Sequence, residues 1–425
     1  MAEYKKKKHS GRMAAPKTHK NRIKREKPRE DIELTSYSSS PDTKPQNNMK
    51  VVRGKKLKTK YRFKVFFAVV IIVALVLVLC EALTPAGVFE TLSTFGATIG
   101  SGSYPTELDG LNTTNVVSKG SYYYVLTNSK IEAYSTGGKR IFSHTHGFEK
   151  PIIKASKTRA LVFGQNSDEA LIFTLKGLKS TVKTEDKIKN AAIGDDGTYA
   201  FITTADNYSA KVTVYRKNNK LLYEWFSSQD LINNVAVSAN GKKIAVSAIS
   251  SDVSDYNSRL LVLNFGSSKP EFEKNYDNTL IYGIDSSFIS GFSVLTANKH
   301  DFIKWSNSKI NEYENDYSTA MFRTGNSGMA VLYNRENDKT DNRIAIFNKQ
   351  GKLKQEIKFK GIITDFALKD GLIYALCDSK IYALSKEGKI LKSAEYGFGA
   401  VRICPVNQST MAVITDNAIS KIKLE

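Results

Sequence analysis

The sequence predicts an all-β chain: an eight-bladed β-propeller preceded by one transmembrane helix and a disordered basic tail. Three observations carry this. A short apolar strand recurs eight times, at intervals of 37–49 residues. Asp-Gly or Asn-Gly turns precede several of the copies. An unbroken apolar run at 65–79 separates this repetitive part from a Lys/Arg-rich beginning. The 425 residues therefore divide into a tail at 1–60, a span at 61–83, a linker at 84–102 and a propeller at 103–425.

The net charge of +21 belongs mostly to the tail. Residues 1–64 hold 21 Lys/Arg against 6 Asp/Glu, and the rest of the chain holds 42 against 36. A nearly balanced folded part is a poor nucleic-acid binder, and no nucleic-acid partner is expected. The tail has few large apolar residues and a polar, Pro-containing stretch, TSYSSSPDTKPQNN, at 35–48. Such a composition buries too little to fold. Its cations either attach to anionic lipid or only fix the topology.

The run VFFAVVIIVALVLVL at 65–79, extended by Phe63 and by Ala82–Leu83, is about one bilayer crossing. Six cations between Lys55 and Lys64 precede it, whereas Glu81 to Gly110 contain no Lys or Arg. That asymmetry places the amino terminus in the cytoplasm and the long carboxy-terminal part outside the cell membrane. The sequence Leu79-Cys80-Glu81-Ala82-Leu83 fits neither a small-residue cleavage site nor a lipidated cysteine, so an uncleaved anchor is expected.

Beyond the span, the recurring strand reads YYYVL at 122, ALVFG at 160, YAFIT at 199 and KIAVS at 243, then FSVLT, MAVLY, LIYAL and MAVIT at 292, 329, 372 and 411. A second strand follows each, such as KVTVYR or RIAIFN, and then a turn such as RKNNKLL or NKQGKLK. Four strands in about 40 residues make a propeller blade. The eight copies, read as inner strands, give eight blades, with seven plus an irregular segment as the alternative. The last copy lacks room for a fourth strand, and SYPTELDG at 103–110 is placed to supply it from the other end.

By turn rhythm the chain resembles WD-repeat and PQQ-repeat propellers over about 103–425, without the Trp-Asp dipeptide and with two tryptophans in all. The blade-docking tryptophans of the quinone-binding type are missing, and no cofactor is expected. The basic tail, the span, YPTELDG, THGFEKP at 145–151 and VAVSANGKKIAVSA at 235–248 are more closely similar to an uncharacterised family of single-pass, propeller-like proteins from Gram-positive bacteria. That resemblance implies a location and a fold, and no activity.

Cys377 and Cys404 fall in strand-like runs, as two buried thiols or a single bridge. In a propeller, loops between second and third strands share a face with the connections between blades. The long ones are TADNYSA at 204–210, SSDVSDYNS at 250–258 and NRENDKTDN at 334–342. They offer Asp206, Tyr208, Asp252, Asp255, Tyr256, Asp338 and Asp341 as carboxylates and stacking aromatics for a ligand. His144 and His146 alternate as a weak candidate metal pair, short of the third ligand a catalytic zinc needs. His300 stands alone and reads as structural.

No catalytic motif is assembled. The expected function is a membrane-anchored extracytoplasmic module that binds a protein or cell-wall glycan. The alternatives are a carbohydrate-active enzyme using loop carboxylates such as Asp206 with Asp252 or Asp255, and a sensor that signals through the span.

Overall fold

The computed structural model describes residues 57–83, 86–252, 255–286, 290–305, 307–325 and 328–425. The expected disordered tail at 1–60 lies almost wholly outside them. Helix α1 (Leu57–Leu83) is 27 residues long, and its described side chains, from Phe63 to Val76, are all exposed. Among the described residues no helix is long and apolar enough to cross a membrane. A second helix, α2 (Val88–Thr98), follows.

Among the described residues, thirty-two strands form eight four-stranded antiparallel sheets. Blades one to seven are continuous in sequence, at 113–145, 151–183, 188–227, 231–276, 283–314, 318–360 and 363–395. The eighth is composite. Three strands at 402–423 are completed by β1 (Thr106–Glu107), which pairs antiparallel with β32 (Ala418–Lys423), Thr106 opposite Ile419. The Leu108 amide extends this pairing with a 2.9 Å bond to the Asn417 carbonyl. SYPTELDG therefore closes the ring as the sequence predicts, and the count is eight.

The recurring apolar strand is the second of each blade and not the innermost. First strands pack against the first strands of neighbouring blades, as β10 (Ile188–Ile193) does with β14 (Leu231–Val237). The second strand lies one place further out, with a neighbouring blade on each face. Strands such as β3 (Tyr122–Thr127), β7 (Arg159–Gly164) and β31 (Thr410–Ile414) are consequently buried at every position. Burial on both faces makes them unbroken apolar runs, as in a sheet covered on both sides. Outermost strands such as β5 (Arg140–Thr145) have exposed positions throughout.

The apolar core is eight separate clusters, one at each blade-to-blade interface. The cluster joining blades eight and one contains Leu108, Tyr123, Ala412 and Ile419. Ring closure is thus made by side chains as well as by β1. The predicted turns are present. Gly241 has φ +63°, and a Cβ there would stand 1.9 Å from Asp196 Oδ2, so only glycine fits. Cys377 and Cys404 are free, buried thiols, each pushed up to about 12 by burial.

Candidate functional site

Because strands alternate in direction, the turns fall into two sets on opposite faces of the ring. Turns joining first to second and third to fourth strands hold 14 Lys/Arg and 5 Asp/Glu among the described residues. Turns joining second to third strands, together with the connections between blades, hold 12 Asp/Glu and 2 Lys. The near-neutral composition therefore resolves into a basic face and an acidic face.

The pairing reinforces the segregation. Of the 14 cations, Lys157 alone forms an ion pair among the described residues, with Asp195 at 2.8 Å. On the acidic face, strand-borne Arg140 pairs with Asp109 at 2.6 Å and Arg259 pairs with Asp230. Glu185 and Asp168 are also paired, with Lys211 and Lys187. The other eight acids of these turns, Asp206, Glu336 and Asp378 among them, have no ion pair among the described residues. Fields from one sign of charge gathered on one surface steer ligands of the opposite sign.

The residues nominated by sequence lie on the acidic face, in hairpins rather than long loops. β11 (Tyr199–Ala205) and β12 (Tyr208–Tyr215) leave a two-residue turn at Asp206-Asn207, with Asn207 at φ +64°. In blade four the expected loop at 250–258 is paired strand, Ser250 opposite Asn257 and Asp252 opposite Asp255. The side chains of Asp252, Asp255 and Tyr256 lie outside the described residues. In blade six, β23 (Gly328–Arg335) and β24 (Asp338–Asn348) close on Glu336-Asn337. Alternating polar and apolar residues with turn chemistry satisfy backbone groups as readily in a hairpin as in a loop, and the sequence alone did not separate the two.

Asp338 and Asp341 are committed within their own blade or to its neighbour. Asp338 Oδ1 accepts from the Thr340 amide and hydroxyl at 2.9 and 2.6 Å, and these bonds hold its carboxyl below the usual range. Asp341 Oδ2 accepts from the Tyr317 hydroxyl at 2.8 Å and from Arg335 Nε at 3.0 Å. Arg335 and Arg343 both lie over the Tyr317 ring, at 5.1 and 4.3 Å from its centroid. Two nominated residues are free of such commitments: Asp206 caps its hairpin with no ion pair among the described residues, and Tyr208 is 46% exposed.

The Tyr208 ring lies 4.8 Å from that of Phe226 of β13 (Leu221–Ser227), tilted by 42° to it, and Phe226 is itself 42% exposed. Lys211 Nζ lies 5.6 Å over the Phe226 ring and pairs with Glu224 at 3.0 Å and Glu185 at 3.2 Å. Burial lowers the Lys211 pKa, but the two carboxylate bonds outweigh it and leave the ammonium above its ordinary value. Beside this aromatic ledge is a cleft of about 290 Å³ between blades two and three, lined by Lys183, Glu185, Asp186, Lys211, Tyr215 and Glu224. Sequence reading missed Phe226, Glu185 and Glu224, because they meet Tyr208 and Lys211 only across strands and blades.

His146 does not present itself for a metal. Its Nε2 lies 3.1 Å from the Thr127 carbonyl, its Nδ1 accepts from the Phe148 amide, and its ring stacks on Phe148. His144 packs edge-on against Phe173. Among the described residues no group of three or more His, Cys, Asp or Glu is placed to hold a metal ion.

Sheet order and site together define an eight-bladed β-propeller with oppositely charged faces. The chain belongs to the family of unknown function DUF5711, whose model matches residues 103–424. It is similar to the C-terminal WD40 domain of Sif2, at 11% identity over 77% of this chain and 100% of that one, with a TM-score of 0.51. A likeness at that identity shows the propeller fold alone. BamB from Moraxella catarrhalis is 11% identical over 75% of this chain and 99% of its own, with a TM-score of 0.46. No curated protein matches the chain.

Proposed function

We propose that this protein is a membrane-anchored, extracytoplasmic binding module whose acidic face receives a positively charged segment of a protein partner in the cell envelope. Residues 61–83 anchor it, with the basic tail in the cytoplasm. The apolar run at 65–79, the cations before it and their absence from Glu81 to Gly110 support this orientation.

The observation that carries the binding reading is charge segregation: 12 acids against 2 lysines in one set of turns. The Tyr208–Phe226 ledge supplies exposed aromatic area on the same face, and tyrosine is among the residues enriched at binding hot spots. Asp206 and Tyr208, with the paired hairpins carrying Asp252, Asp255 and Tyr256 and, further round, Asp338 and Asp341, form the proposed contact surface.

The test is photocrosslinking in cells, with a photoreactive phenylalanine analogue at position 208 of the full chain and, as control, at position 220 on the opposite face. The reading expects a protein adduct specific to 208 that weakens in Asp206→Asn and with rising salt. Equal adducts at both positions, or none at 208, would overturn it. A thermal shift with purified wall glycan, without any protein adduct, would assign the face to carbohydrate instead.

A further inference from the structure

α2 is amphipathic in the wrong sense for a helix packed on a globular domain. Its polar side faces the propeller. Glu90 accepts from the Thr158 hydroxyl and from Arg159 Nε and Nη2, each at 2.7 Å, and Arg159 Nη1 reaches the Lys217 carbonyl at 3.0 Å. Lys139 Nζ caps the other end by donating to the Ile99 carbonyl at 2.9 Å. Thr158 and Lys217 lie in turns of the basic face, and so does Lys139, so α2 is held on that face at both ends. Its outward side carries Leu92 and Phe95, continued by Ile99 at the C-cap, which are 55–63% exposed and spaced to share one face. Desolvating that stripe would release free energy in proportion to its apolar area.

Other turns of the same face share this composition. Leu221, Leu353 and Ile390, each 43–56% exposed, directly follow Lys220, Lys352 and Lys389 in third-to-fourth-strand turns. One face of the ring thus combines an apolar helix, lysine–aliphatic pairs and 13 cations outside any ion pair, the make-up of a surface that meets the interface of an anionic bilayer. The apolar run at 65–79 ends only nine residues before α2 begins, which keeps the helix within reach of the same membrane.

We propose that α2 and the basic turns dock the propeller onto an anionic phospholipid surface, face down, which turns the acidic face outward. This rests on the anchor reading above. Docking replaces a free tether by a fixed orientation, and the acidic face then points to partners rather than to the like-charged bilayer.

The experiment uses the full chain reconstituted in phosphatidylcholine vesicles with or without phosphatidylglycerol, containing acyl-chain-brominated lipid. Emission is compared for wild type, which reports Trp225 and Trp305, for Phe95→Trp in the stripe and for Val70→Trp in the apolar run. Docking predicts that the added emission of F95W is quenched in anionic vesicles, and that the quenching falls in zwitterionic vesicles, in high salt or on combining Lys217→Gln, Lys220→Gln, Lys352→Gln and Lys389→Gln. Quenching of V70W without quenching of F95W would overturn docking and leave the anchor standing. Absence of quenching in both would overturn the anchor and the docking with it. A blue shift of F95W without bromine quenching would assign the stripe to a protein or a second copy and refute the lipid reading. Quenching of F95W indifferent to phosphatidylglycerol and to the lysines would refute the role of the basic turns.

Discussion

His300 gives a stability prediction whose size follows from its surroundings. It sits on β20 (Lys299–Lys304), 1% exposed, with its ring 4.2 Å from that of Phe347 in the next blade. Neither ring nitrogen has a hydrogen-bond partner among the described residues. Burial lowers its pKa from 6.5 to about 3. Above pH 6.5 the imidazole is neutral in both folded and unfolded chains and contributes no pH dependence. Below it the unfolded chain takes up a proton that the folded chain refuses, and the penalty grows until the pH nears 3. At pH 5 that amounts to about 2 kcal/mol relative to pH 8. His300→Leu keeps roughly the same volume, removes both unpartnered nitrogens and abolishes this linkage. For a unit of roughly 320 residues, 2 kcal/mol is about 3 °C in melting temperature. The Tm lost between pH 8 and pH 5, measured on both proteins, is therefore expected to be about 3 °C smaller in the variant. Equal losses, or an imidazole proton resonance of the folded wild type that titrates near 6.5, would refute the argument.

Two further outcomes follow from single contacts. Asp365 is 1% exposed and accepts from Arg323 Nη2 at 2.5 Å, Arg402 Nη1 at 3.2 Å and the Ile403 amide at 2.9 Å, tying blades six, seven and eight together. Asp365→Ala strands two guanidinium groups and should cost about 3–5 kcal/mol, with Asp365→Asn milder, read from denaturation midpoints. Deleting residues 104–109 removes β1 and the Leu108 contact, so limited proteolysis should cut within 402–423 first, where wild type is protected; unchanged protection would mean that the ring closes without β1.

Much of the architecture was legible in the sequence because it is written locally. The second strand of every blade carries a short, mostly apolar run, since its centre is covered on both faces, and so the repeat is visible even though the blades share few residues. Asp-Gly and Asn-Gly turns mark the reversals because a left-handed residue is needed at each. The missing fourth strand of the last copy and the spare SYPTELDG segment together required a closure between the termini, and β1 provides it. The same local reading mistook the long polar stretches at 204–210, 250–258 and 334–342 for loops, because a solvated hairpin carries the same composition.

What depended on tertiary structure was everything carried between blades. The composition of the folded part, 42 cations and 36 acids after residue 64, describes a nearly neutral body. The alternation of strand direction sorts those charges onto opposite faces, because every other turn in sequence falls on the same side of the ring. The Tyr208–Phe226 ledge, the carboxylates around Lys211 and the Arg323–Asp365–Arg402 network join residues from 13 to 79 positions apart. The outward stripe of α2 likewise has meaning only once Glu90 is seen to face Arg159. Sequence fixes the period of a repeat through local burial and turn chemistry, whereas the faces of a closed ring exist only after its ends have met.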